Sequence, residues 1–331
     1  MRRVGWLIAG VCCAAAAANA EERVGVLVLA HGGEPRWNAA VTETVGGAAL
    51  PWPAEIAFGM GMHADEAARL QEAVSALERR GAGRIVAVPL LISSHSMIIR
   101  QYAYLLGLRA DGPWMEHAAP IDVRVPVTLT RALDDAAVVA EIVADRAREV
   151  SREPASEIVV LVAHGPNEEA DQARWLAAME RIGAAVSARE GFRRVIPVTM
   201  RDDAPEAVLE EAVRRLRETV ARGAEDARVL VVPLLIANGG IEHKIRERLD
   251  GLPCVIQERA LLPDARVGAW LAERVRAALD ADADGFAGGD LAAASDARAA
   301  RAEHHRGRSG SAHVHSVSSV KADGRSRAVI E

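Results

Sequence analysis

The sequence predicts an α/β protein in which one βα unit occurs twice. Two observations lead to this fold class: short, nearly continuous apolar runs alternate with longer amphipathic stretches, and the same runs return in the same order in the second half. The chain has 331 residues, of which 50% are hydrophobic and 26% charged. This is the balance of a globular protein with enough length for two domains.

The duplication is clearest in three pairs of matching segments. These pairs are 24–32 (VGVLVLAHG) with 158–165 (IVVLVAHG), 58–67 (FGMGMHADEA) with 198–207 (VTMRDDAPEA), and 84–93 (RIVAVPLLIS) with 228–237 (RVLVVPLLIA). Chance does not keep three such motifs in order, so we interpret the body of the chain as a tandem repeat.

Each repeat is predicted to form a four-stranded, mainly parallel sheet flanked by helices, because apolar runs of this kind are typical of strands covered on both faces. In the first repeat we expect strands at 24–30, 54–59, 84–92 and 121–127, and helices at 36–48, 64–80, 96–107 and 133–150. In the second we expect strands at 157–163, 194–199, 228–236 and 253–257, and helices at 168–189, 204–222, 241–249 and 264–280. Pro154 marks the joint between domains 21–152 and 153–280, because proline interrupts the preceding helix.

Residues 1–20 have the pattern of a secretory signal peptide. Two arginines at 2–3 precede an apolar stretch, and the small-x-small sequence ANA at 18–20 resembles a cleavage site. We expect cleavage after Ala20 and a periplasmic or otherwise exported protein. A stable membrane anchor is the competing interpretation, which a short, mostly alanine stretch disfavours.

The other end of the chain, residues 281–331, lacks long periodicity and is predicted to be disordered. It contains four of the ten histidines, at 304, 305, 313 and 315. Such a tract either collects metal ions or is a solvated tail whose histidines are incidental, and both interpretations stay open.

The net charge indicates whether a nucleic acid is an expected partner. A net charge of −6 and a pI near 6.0 give no basic field that would gather phosphates, so no nucleic-acid partner is expected.

Five histidines fall where predicted strands end. His31 and His164 each follow the first strand of a repeat, His63 follows the second strand of the first repeat, and His95 and His243 lie in the loops after the third strands. In open α/β sheets, ligands bind outside the carboxyl ends of the strands. We therefore expect a ligand site there, although a single histidine in such a place is more often a packing residue.

The chemistry of imidazole suggests what such a site does. Neutral imidazole binds borderline divalent metal ions and also titrates near neutral pH, so facing histidines can hold a metal ion or accept a proton.

Other catalytic classes are disfavoured because their motifs are missing from the sequence. It has no G-x-S-x-G nucleophile elbow, no P-loop or G-x-G-x-x-G after a strand, and no H-E-x-x-H zinc motif. Serine hydrolysis, nucleotide chemistry and zinc proteolysis are therefore not expected.

Three features together carry a family resemblance: the Ala-His-Gly after the first strand, the Val-Pro-Leu-Leu-Ile strand that leads into a histidine loop, and the 64 residues between His31 and His95. They resemble the class II tetrapyrrole chelatases. Within that class the chain is most similar, over about residues 24–280, to the sirohydrochlorin cobaltochelatase and ferrochelatase family in its two-repeat form.

The resemblance implies a chelatase-like, flavodoxin-like fold and a lyase of siroheme or cobalamin biosynthesis. Such an enzyme inserts Co²⁺ or Fe²⁺, with Ni²⁺ a further candidate, into a metal-free tetrapyrrole such as sirohydrochlorin, without a nucleotide. The divalent metal is then a substrate. By the family motif, the catalytic histidines are His31 and His95, which hold the metal or accept the two pyrrole protons as general bases.

The predicted metal-binding set is completed by His63, His164 and His243. The chain departs from the family loop in both repeats: the first has the shorter sequence Ser93-Ser94-His95-Ser96, and in the second Ile241 stands at the place of the family histidine. The second repeat is therefore either a structural partner or a second site. The family glutamate after the second strand is replaced by a segment with Met60, Met62 and His63, which leaves the metal open.

Further substrate contacts are predicted with less support from the pattern. Trp37, Trp52 and Trp114 are candidates to stack on the macrocycle, and Arg36 and Arg100 are candidates to bind its carboxylates.

One rival function uses the same fold. An exported protein of this kind could store or deliver a metal ion or tetrapyrrole without turnover. The chain is expected to act either as a monomer of two repeats or as a homodimer.

Overall fold

The computed structural model describes residues 23–59, 64–112 and 118–283. The predicted signal peptide, His63, Trp114 and the histidine-containing tail beyond residue 283 lie outside these residues. Within the described part of the chain, no helix has both the length and the apolar character needed to cross a membrane.

Two four-stranded sheets, one in each half of the chain, form the framework. The first half contains β1 (Val24–Ala30), α1 (Pro35–Gly47), β2 (Ala54–Phe58), α2 (Ala64–Arg79), β3 (Arg84–Pro89), α3 (Met97–Leu105), β4 (Val127–Leu129) and α4 (Ala137–Val150). The second contains β5 (Glu157–Ala163), α5 (Glu169–Glu190), β6 (Arg194–Thr199), α6 (Glu206–Asp226), β7 (Arg228–Leu234), α7 (Ile241–Arg248), β8 (Cys254–Ile256) and α8 (Ala265–Ala283).

The two sheets have the same topology. Their strand orders are β2-β1-β3-β4 and β6-β5-β7-β8, and every neighbouring pair is parallel. The α/β fold with two parallel, helix-flanked sheets is confirmed. Because all strands of a sheet run the same way, the loops after β1, β2 and β3 meet at one edge, as do those after β5, β6 and β7.

The two sheets enclose one shared core. Apolar side chains from one face of each sheet pack with buried residues of α1, α4, α5 and α8 in a single cluster. The opposite faces are covered separately, by α2 and α3 in the first repeat and by α6 and α7 in the second. Helices α1, α4, α5 and α8 therefore lie in a core that both sheets share, and burial of their apolar surface holds the two halves together.

The fourth strand of the first repeat is shorter and later than predicted, Val127–Leu129 instead of 121–127. The segment before it does pack on the core through Ile121, Val123 and Val125. Its backbone is also held by side chains of α2. The amide of Asp122 donates to Gln71 Oε1 and that of Arg124 to Glu78 Oε1, both at 2.7 Å.

A glycine turn follows the first strand of each repeat. Gly32 and Gly165 have positive φ angles of +76° and +81°, where a side chain is strained. At Gly165 there is also no room, because a Cβ atom would lie 2.6 Å from Cβ of Thr199 on the neighbouring strand. The turn brings the preceding histidine close to the end of the second strand.

We predict that Gly165→Ala lowers the free energy of unfolding by about 2–5 kcal/mol, because the cost of a left-handed backbone at alanine and the cost of the overlap with Thr199 add together. Gly191→Ala is the matched control, since Gly191 has φ +76° with no atom within 4 Å of the added Cβ. It should cost only about 1–2 kcal/mol. Urea unfolding measures both, and equal losses would show that the close packing at Gly165 is not a constraint.

Candidate functional site

The histidines after β1 and β5 have the same local geometry. His31 Nδ1 lies 2.7 Å from the carbonyl oxygen of Gly32, and His164 Nδ1 lies 2.9 Å from that of Gly165. A carbonyl oxygen only accepts hydrogen bonds, so Nδ1 carries the proton in both rings. The lone pair of a neutral ring is then on Nε2, which is the atom available for a metal ion or a substrate proton.

In the second repeat Nε2 is already engaged. His164 Nε2 lies 3.3 Å from Oδ2 of Asp203. Burial lowers the pKa of His164, but the hydrogen bond to Asp203, the bond to Gly165 and the charges of Asp203 and Asp202 outweigh burial and raise the pKa. With an acceptor at each nitrogen, the protonated form of this ring is favoured, and in that form it has no lone pair for a metal ion.

The Asp203 carboxylate joins the two repeats electrostatically. The hydrogen bond from His164 lowers the pKa of Asp203 against the effect of burial, and the charges of His164, Lys244 and His31 lower it further. His31 belongs to the first repeat, so a charge of the first repeat acts on a carboxylate of the second. Within the described residues, no hydrogen bond reaches His31 Nε2.

Asp202 is also committed to ion pairs. Its side chain is 1% exposed, with Lys244 Nζ at 2.9 Å and Arg248 Nη1 in hydrogen-bond contact. The adjacent Arg201 is buried and donates to the carbonyl oxygens of Pro166 and Asn167, each at 3.0 Å. The loop after β6 is therefore held by ion pairs to α7 and by hydrogen bonds to the loop after β5.

His95 lies in a loop whose backbone is firmly held. Its amide donates to Ser93 Oγ at 3.1 Å, and both the amide and the hydroxyl of Ser94 donate to the carboxylate of Asp134 at 2.7 Å. The Ser94 hydroxyl also accepts the amide of Ala132 at 2.8 Å. These bonds fix the backbone of the loop. Within the described part of the chain, no hydrogen bond to the His95 ring is found.

The environment of His95 favours a neutral ring. Burial lowers its pKa, and the positive charges of Arg174 and Arg131 act in the same direction, against Asp134 and Asp171. At neutral pH the uncharged ring with a lone pair therefore predominates, whereas the surroundings of His164 favour the protonated form.

His243 is placed differently from the other predicted ligands. Its side chain is 57% exposed in the first turn of α7, and its Nδ1 lies 3.2 Å from Nη1 of Arg246. Since an arginine can only donate, Nδ1 is the acceptor in this contact. The proton of a neutral ring is then on Nε2, which differs from the arrangement at His31.

Tyr102 contacts the backbone next to His31, a role that was not predicted from the sequence. Its buried hydroxyl contacts the carbonyl oxygens of Ala30, at 3.2 Å, and of Gly59. Burial, and then the charge of Glu66, raise the pKa of Tyr102, so the hydroxyl keeps its proton as a donor. The ends of β1 and β2 are thereby tied together.

The two repeats also grip each other at this edge. Trp37 on α1 packs on the loop after β7, where a Cβ atom at Gly239 would lie 2.8 Å from the indole. Beside it, Arg36 Nη2 donates to Glu242 Oε1 at 2.5 Å, and Oε2 of Glu242 accepts the amides of Gly239 and Gly240.

The second repeat makes the corresponding contacts with the first. Trp175 on α5 donates its indole N–H to the carbonyl oxygen of His95 at 2.6 Å. Arg100 on α3 pairs with Asp171 at 2.9 Å and Glu168 at 2.8 Å. We call this set of contacts, from Trp37 and Arg36 in one direction and from Trp175 and Asp171 in the other, the cross-repeat clamp.

The clamp changes the expected roles of the predicted substrate contacts. Arg36 and Arg100 are neutralised by carboxylates of the opposite repeat, so they hold the repeats together instead of being free for a substrate. Trp37 is 9% exposed and packs in the core, with its ring centroid 6.3 Å from that of His31. Trp52 lies under the guanidinium of Arg276.

The predicted metal-binding set is thus only partly brought together. His31 and His95 lie at the same edge of the first sheet and His164 pairs with Asp203, while His243 is exposed on α7. Among the described residues, no three His, Cys, Asp or Glu side chains are arranged to hold a metal ion. The five-histidine set, which includes His63, stays a prediction.

We predict that Asp203→Asn lowers the pKa of His164, because it removes the carboxylate that stabilises the imidazolium. Histidine resonances followed by NMR against pH measure the shift. Asp111→Asn, which removes an exposed carboxylate paired with Arg109, should leave the pKa of His164 unchanged and serves as the control.

The same pair makes stability depend on pH. The raised pKa of His164 contributes stability that is complete below 6.5 and is lost as pH rises through the folded pKa. The lowered pKa of Asp203 contributes stability present above 3.8 and lost as pH falls through its folded value. The stability difference between wild type and Asp203→Asn should therefore be largest between these limits, and a pH-independent difference would contradict the pairing.

Comparisons with known proteins agree with this architecture. Residues 25–150 match the model of the CbiX family. The fold is similar to that of SirB from Bacillus subtilis with Fe³⁺, at 18% identity and a TM-score of 0.56, covering 80% of this chain and 98% of that one. It is also similar to the sirohydrochlorin chelatase SirB from Bacillus subtilis subspecies spizizenii in complex with cobalt. There the identity is 16% and the TM-score 0.54, with the same coverage.

No curated protein sequence matches the chain. The solved structures share the fold across nearly their whole length, whereas the family match lies in the first repeat and includes both His31 and His95. The resemblance predicted from the sequence is confirmed: residues 25–150 match the CbiX family model, and the fold is similar to that of the SirB chelatases.

Proposed function

We propose that this protein is a tetrapyrrole metal chelatase whose active histidines are His31 and His95. One observation carries the proposal. The first repeat offers a histidine with Nε2 free of hydrogen bonds from the described residues and a second with a lowered pKa, both at the edge where the strands end. The CbiX-family match over the same residues supports this function.

The two rings suit a reaction that exchanges a cation for protons. Insertion of M²⁺ into a metal-free tetrapyrrole forms the metal–nitrogen bonds and releases two pyrrole N–H protons. A neutral imidazole can hold a borderline ion such as Co²⁺ or Fe²⁺ through its lone pair. Once the ion moves to the macrocycle, the same lone pair can accept a proton and pass it to water.

The second repeat is proposed to support this site and not to duplicate it. Nε2 of His164 is paired with Asp203 and the raised pKa favours the protonated ring, so a metal ion would have to compete with a proton and break this contact to bind there. Among the described residues, no ion pair has to be broken at His31 or His95, and the pKa of His95 is lowered.

Export is a further part of the proposal and rests only on the signal-like pattern of residues 1–20. Fractionation of cells that express the full chain would test it. Recovery of the protein in the periplasmic fraction, shortened after residue 20, would support export, and an uncleaved cytosolic protein would contradict it.

We predict that His31→Ala and His95→Ala each reduce metal insertion by about 100-fold or more, because a ligand or proton acceptor is lost. The measurement is the absorbance change of metal-free sirohydrochlorin mixed with Co²⁺ or Fe²⁺ and the protein, against a protein-free control. Asp111→Asn is the surface control and should behave as wild type.

His164→Ala separates the two repeats. Because the His164 ring is already paired, its loss should cost less than about tenfold in turnover. A loss as large as that of His31→Ala would place the chemistry in both repeats. Stoichiometric binding of metal or tetrapyrrole without turnover in the wild type would contradict the enzyme and favour a carrier.

A further inference from the structure

The loop that carries His95 in the first repeat receives a hydrogen bond from the second repeat. The indole N–H of Trp175 donates to the carbonyl oxygen of His95 at 2.6 Å. Trp175 is 7% exposed, and its ring belongs to the core shared by both sheets. The donor is therefore rigid, and it acts on the backbone of the residue whose ring is proposed to hold the metal.

The rest of the loop is fixed by the first repeat alone. The His95 amide is bonded to Ser93, and Ser94 is bonded to Asp134 on both its amide and its hydroxyl. The His95 carbonyl is the point at which the second repeat completes this support. With the backbone held on both sides of its Cα atom, the freedom left to His95 is mainly the rotation of its ring.

A second contact on the same helix face holds the donor in place. Asp171 precedes Trp175 by four residues, about one helical turn, and pairs with Arg100 at 2.9 Å. Arg100 lies in the first turn of the helix that follows His95. The second repeat therefore grips the His95 segment at two successive points, one a hydrogen bond and one an ion pair.

The corresponding contact in the other direction is different in kind. Trp37 packs on the loop at Gly239, but among the described residues its indole N–H donates no hydrogen bond. Only the loop of the first repeat, which carries a histidine with a free ring, receives a hydrogen bond from the opposite tryptophan. A purely structural clamp would not require this asymmetry.

We infer that Trp175 is a positioning residue for the metal site: the second repeat, through the indole N–H, sets the position of the His95 ring in the first. The inference rests on the proposed function for the role of His95. It gives the second repeat a task in the reaction that does not require a second active site.

The test uses the purified full-length protein with Trp175→Phe, which removes the N–H and keeps most of the ring. Trp270→Phe is the matched control, because Trp270 is equally buried, at 6% exposure, and its indole nitrogen has no hydrogen-bond partner among the described residues. Two readouts are measured: the histidine ring resonances of the metal-free protein at fixed pH, and the affinity for Co²⁺ alone from its visible absorption.

We expect Trp175→Phe to shift or broaden the His95 resonance, to leave that of His31 in place, and to weaken Co²⁺ binding about fivefold, the scale of one lost hydrogen bond. Trp270→Phe should change neither. Asp171→Asn, which loosens the same helix from Arg100, should act in the same direction as Trp175→Phe and provides a second variant if the first fails to fold.

An unchanged His95 resonance and wild-type Co²⁺ affinity in Trp175→Phe would overturn the inference. So would equal changes in all histidine resonances, because they would indicate general loosening. Failure of the proposed function looks different: Co²⁺ binding would respond as expected, but neither wild type nor variant would insert the metal into sirohydrochlorin.

Discussion

The site depends on one physical constraint, the cross-repeat clamp. The first helix of each repeat packs against the loop after the third strand of the other, through Trp37 on Gly239 and Trp175 on His95. Both tryptophans are part of the apolar cluster shared by the two sheets, so separating the repeats would expose that core. The histidine loops are thereby held at one edge of the molecule by the burial that stabilises the fold.

On this common framework the two copies have diverged electrostatically. Both histidines after the first strands donate Nδ1–H to the next carbonyl, yet among the residues that the structure describes only His164 has a carboxylate at Nε2. The sequence difference is small, since Asp203 occupies the place that His63 holds in the first copy. One carboxylate thereby favours the protonated form of His164, a potential metal ligand.

The fold could be predicted well from the sequence because strand and helix periodicity are local and because the repeat confirms each element twice. The fourth strand of the first repeat was predicted too early in the sequence. Side chains of α2 bond the backbone before Val127–Leu129, and hydrophobic periodicity gives no sign of such bonds. The positions of His31 and His95 after their strands were predictable. The clamp was not, since Arg36 with Glu242 and Trp175 with His95 join residues far apart in sequence. The pKa values of His95 and His164 also depend on residues that are distant in the sequence, and so could not be predicted from it.

The central claim is that His31 and His95 hold one metal ion in the first repeat. Anomalous diffraction at the cobalt edge from crystals soaked in Co²⁺ tests it most directly. The account predicts one strong peak, with Nε2 of His31 and a ring nitrogen of His95 both within about 2.0–2.2 Å. A peak bound by His164 and Asp203, or peaks at His31 and His95 that belong to separate ions, would contradict it.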